Sequence, residues 1–391
     1  MPDRDVRLTA VTSALTGAGP VRRLGTTGLR VGAVGQGTTR MGDRAARSAD
    51  RIASRVRTLR LGVELGMNLI DTAEIYGGGH AEEVVAEAIR GIRSEVVLAS
   101  KFLPEHSGRD DVIRAADASL RRLETDYLDL YQAHWPNPLV PMDETLAGLA
   151  RLVEQGKVRY VGLSNVTVPE IAAVRALSST LPIVAVQSEY SLVARDPEAE
   201  LLPYCGAAGI TVLAYSVLSG VPAVLAAGQR RPLDEIAARY GVTTSQVMLA
   251  WVLRQPGVVA LVKAADERHT RENAAAMELV LDGSHLDAID AAFRPQRSAV
   301  PAGALQIGER YVVTPYRTAA EAFRNPLDLV PAPRLVAANI ERGHVLRPLR
   351  VVAAAGGGYD LVDNQVLYWG WVIANGRDAP IPVTIVGSAN S

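Results

Sequence analysis

From Val31 onward, short runs of β-branched and apolar residues alternate with longer stretches whose apolar positions recur at spacings of three and four. The short runs are VGAVG (31–35), NLID (68–71), VVLAS (96–100), LDLYQAH (128–134), YVGLS (160–164), VAVQS (184–188), TVLAY (211–215) and VVALV (258–262). Their nearly unbroken apolar character predicts strands buried on both faces, as in a parallel sheet. The stretches between them include AEEVVAEAIRGI, DVIRAADASLRRLE, DETLAGLARLVEQGK and TSQVMLAWVLRQ. These are amphipathic helix patterns, and several open with Asp, Ser, Thr or Pro, which cap or preset a first turn. Eight strand-and-helix repeats fit an α/β fold of the (β/α)8 TIM-barrel type better than an open doubly wound sheet. The first strand-to-helix turn has no GxGxxG fingerprint, which weakens the open-sheet alternative further.

The alternation stops near Phe293. The predicted organisation is an N-terminal extension over 1–20, a barrel over 21–293, a linker over 294–309 and a small α+β module over 310–391. Within the module the pattern predicts a helix at 334–342, strands at 349–353 and 359–362, a helix at 364–374 and a closing strand ending at Val386.

Charge narrows the function classes. Lys plus Arg number 41 against 42 acids, for a net charge of −1 without a basic block. That balance argues against a nucleic-acid or anionic-membrane partner. No apolar run approaches the roughly 18 residues of a membrane span, and residues 1–20 do not read as a signal peptide. The single cysteine, Cys205, has no internal disulfide partner, and no Cys/His cluster has metal-ligand spacing, so no metal is expected. A cytoplasmic setting follows as the expectation.

In a barrel of this kind the working residues lie at the C-terminal ends of the strands. Asp71 ends the second run, with Tyr76 in the turn behind it. Lys101 follows the third, and His134 ends the fourth. An ammonium beside a phenol stabilises the phenolate, so Lys101 is expected to lower the tyrosine's pKa and make it a usable proton donor. Asp71 would pair with the lysine, while His134 would donate to a carbonyl oxygen. Together they suit carbonyl reduction. Taken singly, each residue has a plainer explanation: a cap, a surface side chain or a core histidine.

The motifs RRLGTTGLRVGAVGQGTTRMG (22–42), NLIDTAEIYGGGHAEEVVAEAIRG (68–91), LASK (98–101), SLRRLETDYLDLYQAHWP (119–136), LVEQGKVRYVGLSN (152–165), VQSEYSLVAR (186–195), VLAYSVLSG (212–220) and RENAAAMELVL (271–281) occur in this order. The series resembles the aldo-keto reductases, closest in style to the branch containing the potassium-channel β-subunits. The resemblance implies a catalytic tetrad of Asp71, Tyr76, Lys101 and His134, with Tyr76 as general acid. It also implies a nicotinamide site at Ser164, Asn165 and Gln187, with the ring stacked on Tyr215. Gly37 and Thr38 match the first-strand turn, Ser216, Val217 and Leu218 the pyrophosphate segment, and Glu272 and Asn273 the adenine pair. Val217 stands where the family usually has proline. Lys263 and Arg268 would favour NADP(H) over NAD(H) by charge-assisted bonds to a 2′-phosphate. Met41 and Trp135 are candidate walls of the substrate pocket, and fold analogy suggests a polar carbonyl or alcohol of sugar or cyclitol type.

The segment 338–386 resembles the ParB N-terminal-like or sulfiredoxin-like fold, with Gln365 where sulfiredoxins have their cysteine. It lacks the family's phosphate-binding arginines, since Asn364, Gln365, Val366 and Leu367 fill the signature positions. Such a module would be non-catalytic. Its LYWGW stretch places Trp369 and Trp371 as candidate anchors, for substrate over the barrel mouth or for a second copy or protein partner, or else as filling of the module's own small core. A redox-sensing or scaffold protein working through this module is the alternative to an enzyme.

Overall fold

The computed structural model describes residues 21–41, 43, 48–178, 181–218, 227–264, 266–308, 315–344, 346–354, 356–362 and 364–388. The extension expected over 1–20 lies outside them. The described chain begins with a hairpin of β1 (Val21–Arg23) and β2 (Arg30–Gly32), antiparallel with Arg22 opposite Val31. Its turn presses on the barrel floor. Gly25 adopts φ 56°, and a Cβ there would fall 2.4 Å from the Val184 carbonyl oxygen, so only glycine fits. Leu24, Leu29 and Val31 thereby join Leu69, Val97, Leu130, Leu213 and Val259 in one buried layer.

Eight parallel strands follow: β3 (Val34–Gly37), β4 (Leu69–Asp71), β5 (Val97–Phe102), β6 (Leu128–Ala133), β7 (Val158–Ser164), β8 (Ile183–Glu189), β9 (Thr211–Tyr215) and β10 (Val258–Val262). They close into a barrel in which β10 pairs with β3. This is the (β/α)8 architecture expected from the alternation. One strand is placed differently. The run 31–35 is not a single strand, because Gly32 ends the hairpin and the barrel begins at Val34. The Asn68 side chain produces the break: it accepts from the Gly32 amide (3.0 Å) and donates to the Arg30 carbonyl (3.1 Å), taking up β2 backbone groups.

A second sheet contains β11 (Gln296–Pro301), β12 (Leu305–Gln306), β13 (Leu349–Ala353), β14 (Tyr359–Leu361) and β15 (Pro380–Ser388), in the order β11-β15-β13-β14-β12. The segment 294–309 is therefore not simply a linker, since it supplies both edge strands. Residues 296–299 of β11 are exposed, and six backbone register pairs to β15 hold the strand. Such an edge leaves little hydrophobic alternation in the sequence. Helices Pro333–Glu341 and Gln365–Asn375 pack together where Gly370 lets them approach; a Cβ there would meet Val336 at 2.5 Å.

The module meets the barrel near the ends of β7 and β8. Arg347 and Arg350 both bind Glu189, at 2.7 and 2.6 Å. His344 meets Glu170 at 2.9 Å, and Arg297 meets Asp196 at 2.9 Å. Val352, Val362 and Val386 extend the barrel's hydrophobic cluster. Among the described residues, no helix is long and apolar enough to cross a membrane, and no group of three His, Cys, Asp or Glu side chains could hold a metal.

Candidate active site

Lys101, completely buried on β5, organises the mouth. Its three ammonium hydrogens have three acceptors: Asp71 Oδ2 at 2.7 Å, the Thr72 carbonyl at 2.9 Å and the Tyr76 hydroxyl at 3.4 Å. Asp71 ends β4, and its other carboxylate oxygen accepts from Gln187 (2.9 Å) and Gln132 (3.4 Å). Both oxygens of this buried carboxylate are thus met by donors, with the lysine as its ionic partner. Burial pushes the lysine's pKa down, but Asp71 and Tyr76 outweigh it and the net direction is up.

Tyr76 differs from expectation in one respect. Burial raises its pKa, and the lowering influence of Lys101 does not overcome it. The phenol is thus held protonated with the cation that would stabilise its phenolate already in place. His134 presents its ring 5.8 Å from the Tyr76 ring, edge to face, and stacks on Trp135 at 3.8 Å. Burial, then the Lys101 charge, drives the imidazole well below its ordinary pKa. It is neutral at pH 7, and its buried Nδ1 has no hydrogen-bond partner among the described residues.

On the other side of the mouth, Tyr215 at the end of β9 donates to Asn165 Oδ1 at 2.6 Å. Asn165, at φ 59°, donates in turn to the His134 carbonyl (2.9 Å) and to Ser164 Oγ (3.0 Å). Ser164, Asn165, Gln187 and Tyr215 therefore form one hydrogen-bonded rim continuous with Asp71. Gly37 is in register with Asp71, and Thr38 ties its amide and hydroxyl to the Asp71 carbonyl. Ser216 is left-handed at φ 56°, Val217 is buried, and Leu218 packs against the barrel core. Residues 219–226, which continue this loop, lie outside the described residues.

Profile comparison matches residues 33–294 to "Aldo/keto reductase family". The chain belongs to the aldo-keto reductases. Methylglyoxal reductase YeaE of Escherichia coli is 40% identical over 268 residues, which are 67% of this chain and 90% of that protein. An aldo-keto reductase of Klebsiella pneumoniae solved with NADPH is 39% identical, with a TM-score of 0.66, covering 71% of this chain and 96% of that one. A thermostable aldo-keto reductase, Tm1743, solved with the inhibitor epalrestat, is 39% identical with a TM-score of 0.65, covering 70% and 99% respectively. These reductases are matched almost end to end by about two thirds of the present chain. The family model ends at residue 294, before the second sheet begins at Gln296.

Other expected site residues of this reductase barrel lie as follows. Arg268 is exposed and paired with Glu272 at 2.6 Å, on a helix capped by Asp266. Met41 is buried and lines a small cavity with Gln36, Gly37, Thr58 and Asn273. Trp369 and Trp371 belong to the module's own hydrophobic core, where Trp369 meets Tyr368 edge to face. Trp135 stays at the mouth through its stack on His134. Sequence reasoning missed Gln132, Arg40 and Arg55. Lys263 is depressed by burial and then by the like charges of Arg40 and Arg55, while Arg55 Nη1 is buried without a hydrogen-bond partner among the described residues. Three cations on this side, one with an orphaned donor, mark a place suited to an anion.

Proposed function

We propose that the barrel is an NADPH-dependent carbonyl reductase acting on small polar carbonyl compounds, with Tyr76 as proton donor. The observation that carries this is the single buried ammonium of Lys101, shared among Asp71, Thr72 and Tyr76. The NADPH-bound relative and the methylglyoxal reductase relative support the cofactor and make a short oxoaldehyde the first substrate to try, beside sugar-like carbonyls.

The side chains suit the cofactor. Asn165, Gln187 and Ser164 would hold the nicotinamide amide, with Tyr215 beneath the ring, and Lys263 with Arg55 would hold phosphate. NADPH, when bound, supplies the hydride that reduces the carbonyl carbon. Tyr76 gives its proton to the carbonyl oxygen, and Lys101 stabilises the phenolate left behind. Asp71 keeps Lys101 charged and oriented. Neutral His134 donates to the same oxygen, so no second charge has to be buried at the mouth. The raised pKa keeps the Tyr76 phenol protonated at neutral pH, which is the form that reduction consumes. The module is proposed to be non-catalytic, and its helix and strand order supports the ParB-like comparison.

Titration of protein fluorescence with NADPH and NADH, followed by a carbonyl panel containing methylglyoxal, tests this on wild type and Tyr76→Phe. The expected result is preferential NADPH binding by both, with turnover lowered about 10²–10⁴-fold in the variant. Absence of binding to either cofactor, or undiminished turnover in Tyr76→Phe, overturns it.

A further inference from the structure

Glu189 and Tyr215 are cross-strand register partners at the ends of β8 and β9. Glu189 is only 7% exposed, and both of its carboxylate oxygens are taken by arginines of the C-terminal module: Oε2 by Arg347 Nη1 at 2.7 Å and Oε1 by Arg350 Nη2 at 2.6 Å. A buried carboxylate needs such partners, and two arginines on one glutamate make a stiff junction. The Arg347 guanidinium also reaches towards the Tyr215 hydroxyl, on which its positive charge acts. Donor accounting agrees with this. The hydroxyl has one hydrogen, given to Asn165 Oδ1 at 2.6 Å, and its lone pairs are left for an arginine N–H. The phenol is therefore bonded to Asn165 within the barrel and faces the charge of Arg347 from outside it.

We propose that Arg347 is a positioning residue for the cofactor: by bridging Glu189 and the Tyr215 hydroxyl, it holds the Tyr215 ring in place as the nicotinamide platform. The added module thereby becomes a working part of the reductase site. This rests on the reading of Tyr215 as the surface on which nicotinamide stacks. Burial pushes the tyrosine up to about 12, which keeps it a neutral donor to Asn165 beside the Arg347 charge. Arg350 shares Glu189 without being part of the Tyr215 contact, so it anchors the module and Arg347 does the positioning.

A double-mutant cycle on the full chain separates positioning from simple docking. Dissociation constants for NADPH are measured by fluorescence for wild type, Arg347→Leu, Tyr215→Phe and the double variant, with melting curves for each. Arg347→Leu is expected to weaken NADPH binding about tenfold, near the lower end for a hydrogen bond to a charged group. Because the two residues act through one contact, the double variant should be little weaker than the worse single variant. Arg347→Lys covers the case in which Arg347→Leu fails to fold. A lysine can still neutralise Glu189 but cannot span both groups with a planar fork. Its melting temperature should stay near wild type while NADPH affinity falls several-fold. Unchanged affinity in a folded Arg347 variant, or losses that simply add in the double variant, overturn the inference. A wild-type protein that binds neither NADPH nor NADH instead overturns the cofactor reading beneath it.

Discussion

Replacing Lys101 with methionine separates stability from chemistry at the centre of the site. The substitution keeps the length of the side chain but deletes three donated hydrogen bonds, to Asp71, Thr72 and Tyr76. Asp71, 3% exposed, would keep only amide donors from Gln187 and Gln132 on its other oxygen. Removing one partner of a buried ion pair costs about 3–5 kcal/mol, because the remaining charge is left uncompensated. At about 2–4 °C per kcal/mol for a large domain, the melting temperature should fall by about 6–20 °C. Adding Asp71→Asn removes the stranded charge and should restore much of that loss. Activity should not follow stability. Neither variant has a cation to stabilise the Tyr76 phenolate, so both should lose reductase turnover. The assay is a thermal melt of wild type, Lys101→Met and Asp71→Asn/Lys101→Met beside NADPH-consuming turnover at saturating carbonyl. A Lys101→Met protein that melts within a degree of wild type and reduces carbonyls at the wild-type rate would refute the reasoning. Recovery of turnover in the double variant would refute its catalytic half.

The raised pKa of Tyr76 sets the pH dependence: reduction needs the protonated phenol and should stay flat through neutral pH, declining only above the ordinary tyrosine value of 10. Alcohol oxidation needs the phenolate and should climb with pH, so a reductase rate that falls between pH 7 and 9 would contradict this. His134 titrates well below its ordinary 6.5, so the unfolded chain binds a proton there that the folded chain refuses. Stability should therefore fall as pH drops below about 6.5, and His134→Asn should flatten that part of a chemical-denaturation profile against pH. Arg55→Ala and Lys263→Ala should each weaken NADPH binding by about tenfold with little effect on NADH, as expected for charge-assisted bonds to a phosphate. Parallel titrations check this, and equal losses for both cofactors would move the two residues away from the 2′-phosphate.

The barrel was legible because buried parallel strands are continuous apolar runs, and all eight runs lie on or beside observed strands. Asp71, Lys101 and His134 were legible for a related reason: polar residues at the ends of such runs have few structural explanations when several coincide. Gln132 was not, since a glutamine inside β6 gives no periodic signal and its purpose appears only when Asp71 is seen 3.4 Å away. Arg55 sits on a helix whose spacing is ordinary, and its orphaned nitrogen is a property of three-dimensional packing alone. The Trp369 and Trp371 pair shows the opposite limit. Rare aromatics fill a small core as readily as a binding surface, and composition does not distinguish the two uses. β11 was missed because its edge pairing uses backbone groups, which every sequence provides.

The positions of the module's contacts explain how a second sheet can be joined to this barrel without covering its chemistry. Asp71, Lys101 and His134 stand at the ends of β4, β5 and β6, whereas Glu170, Glu189 and Asp196, which bind the module, follow or end β7 and β8. The contacts therefore lie on one arc of the mouth and the proton-transfer residues on another. Asn165 and Tyr215 lie between: Asn165 is bonded to the His134 carbonyl, and Tyr215 is bonded to Asn165 and feels the charge of Arg347. A disturbance at the junction would reach the catalytic arc through this short chain of contacts. It would act first on Tyr215 and Asn165, which are proposed to face the cofactor, and only through them on His134. Damage to the junction should thus be felt as weakened cofactor binding before any loss of proton transfer. That order is opposite to the one expected for Tyr76, whose hydroxyl contributes to the chemistry and little to binding.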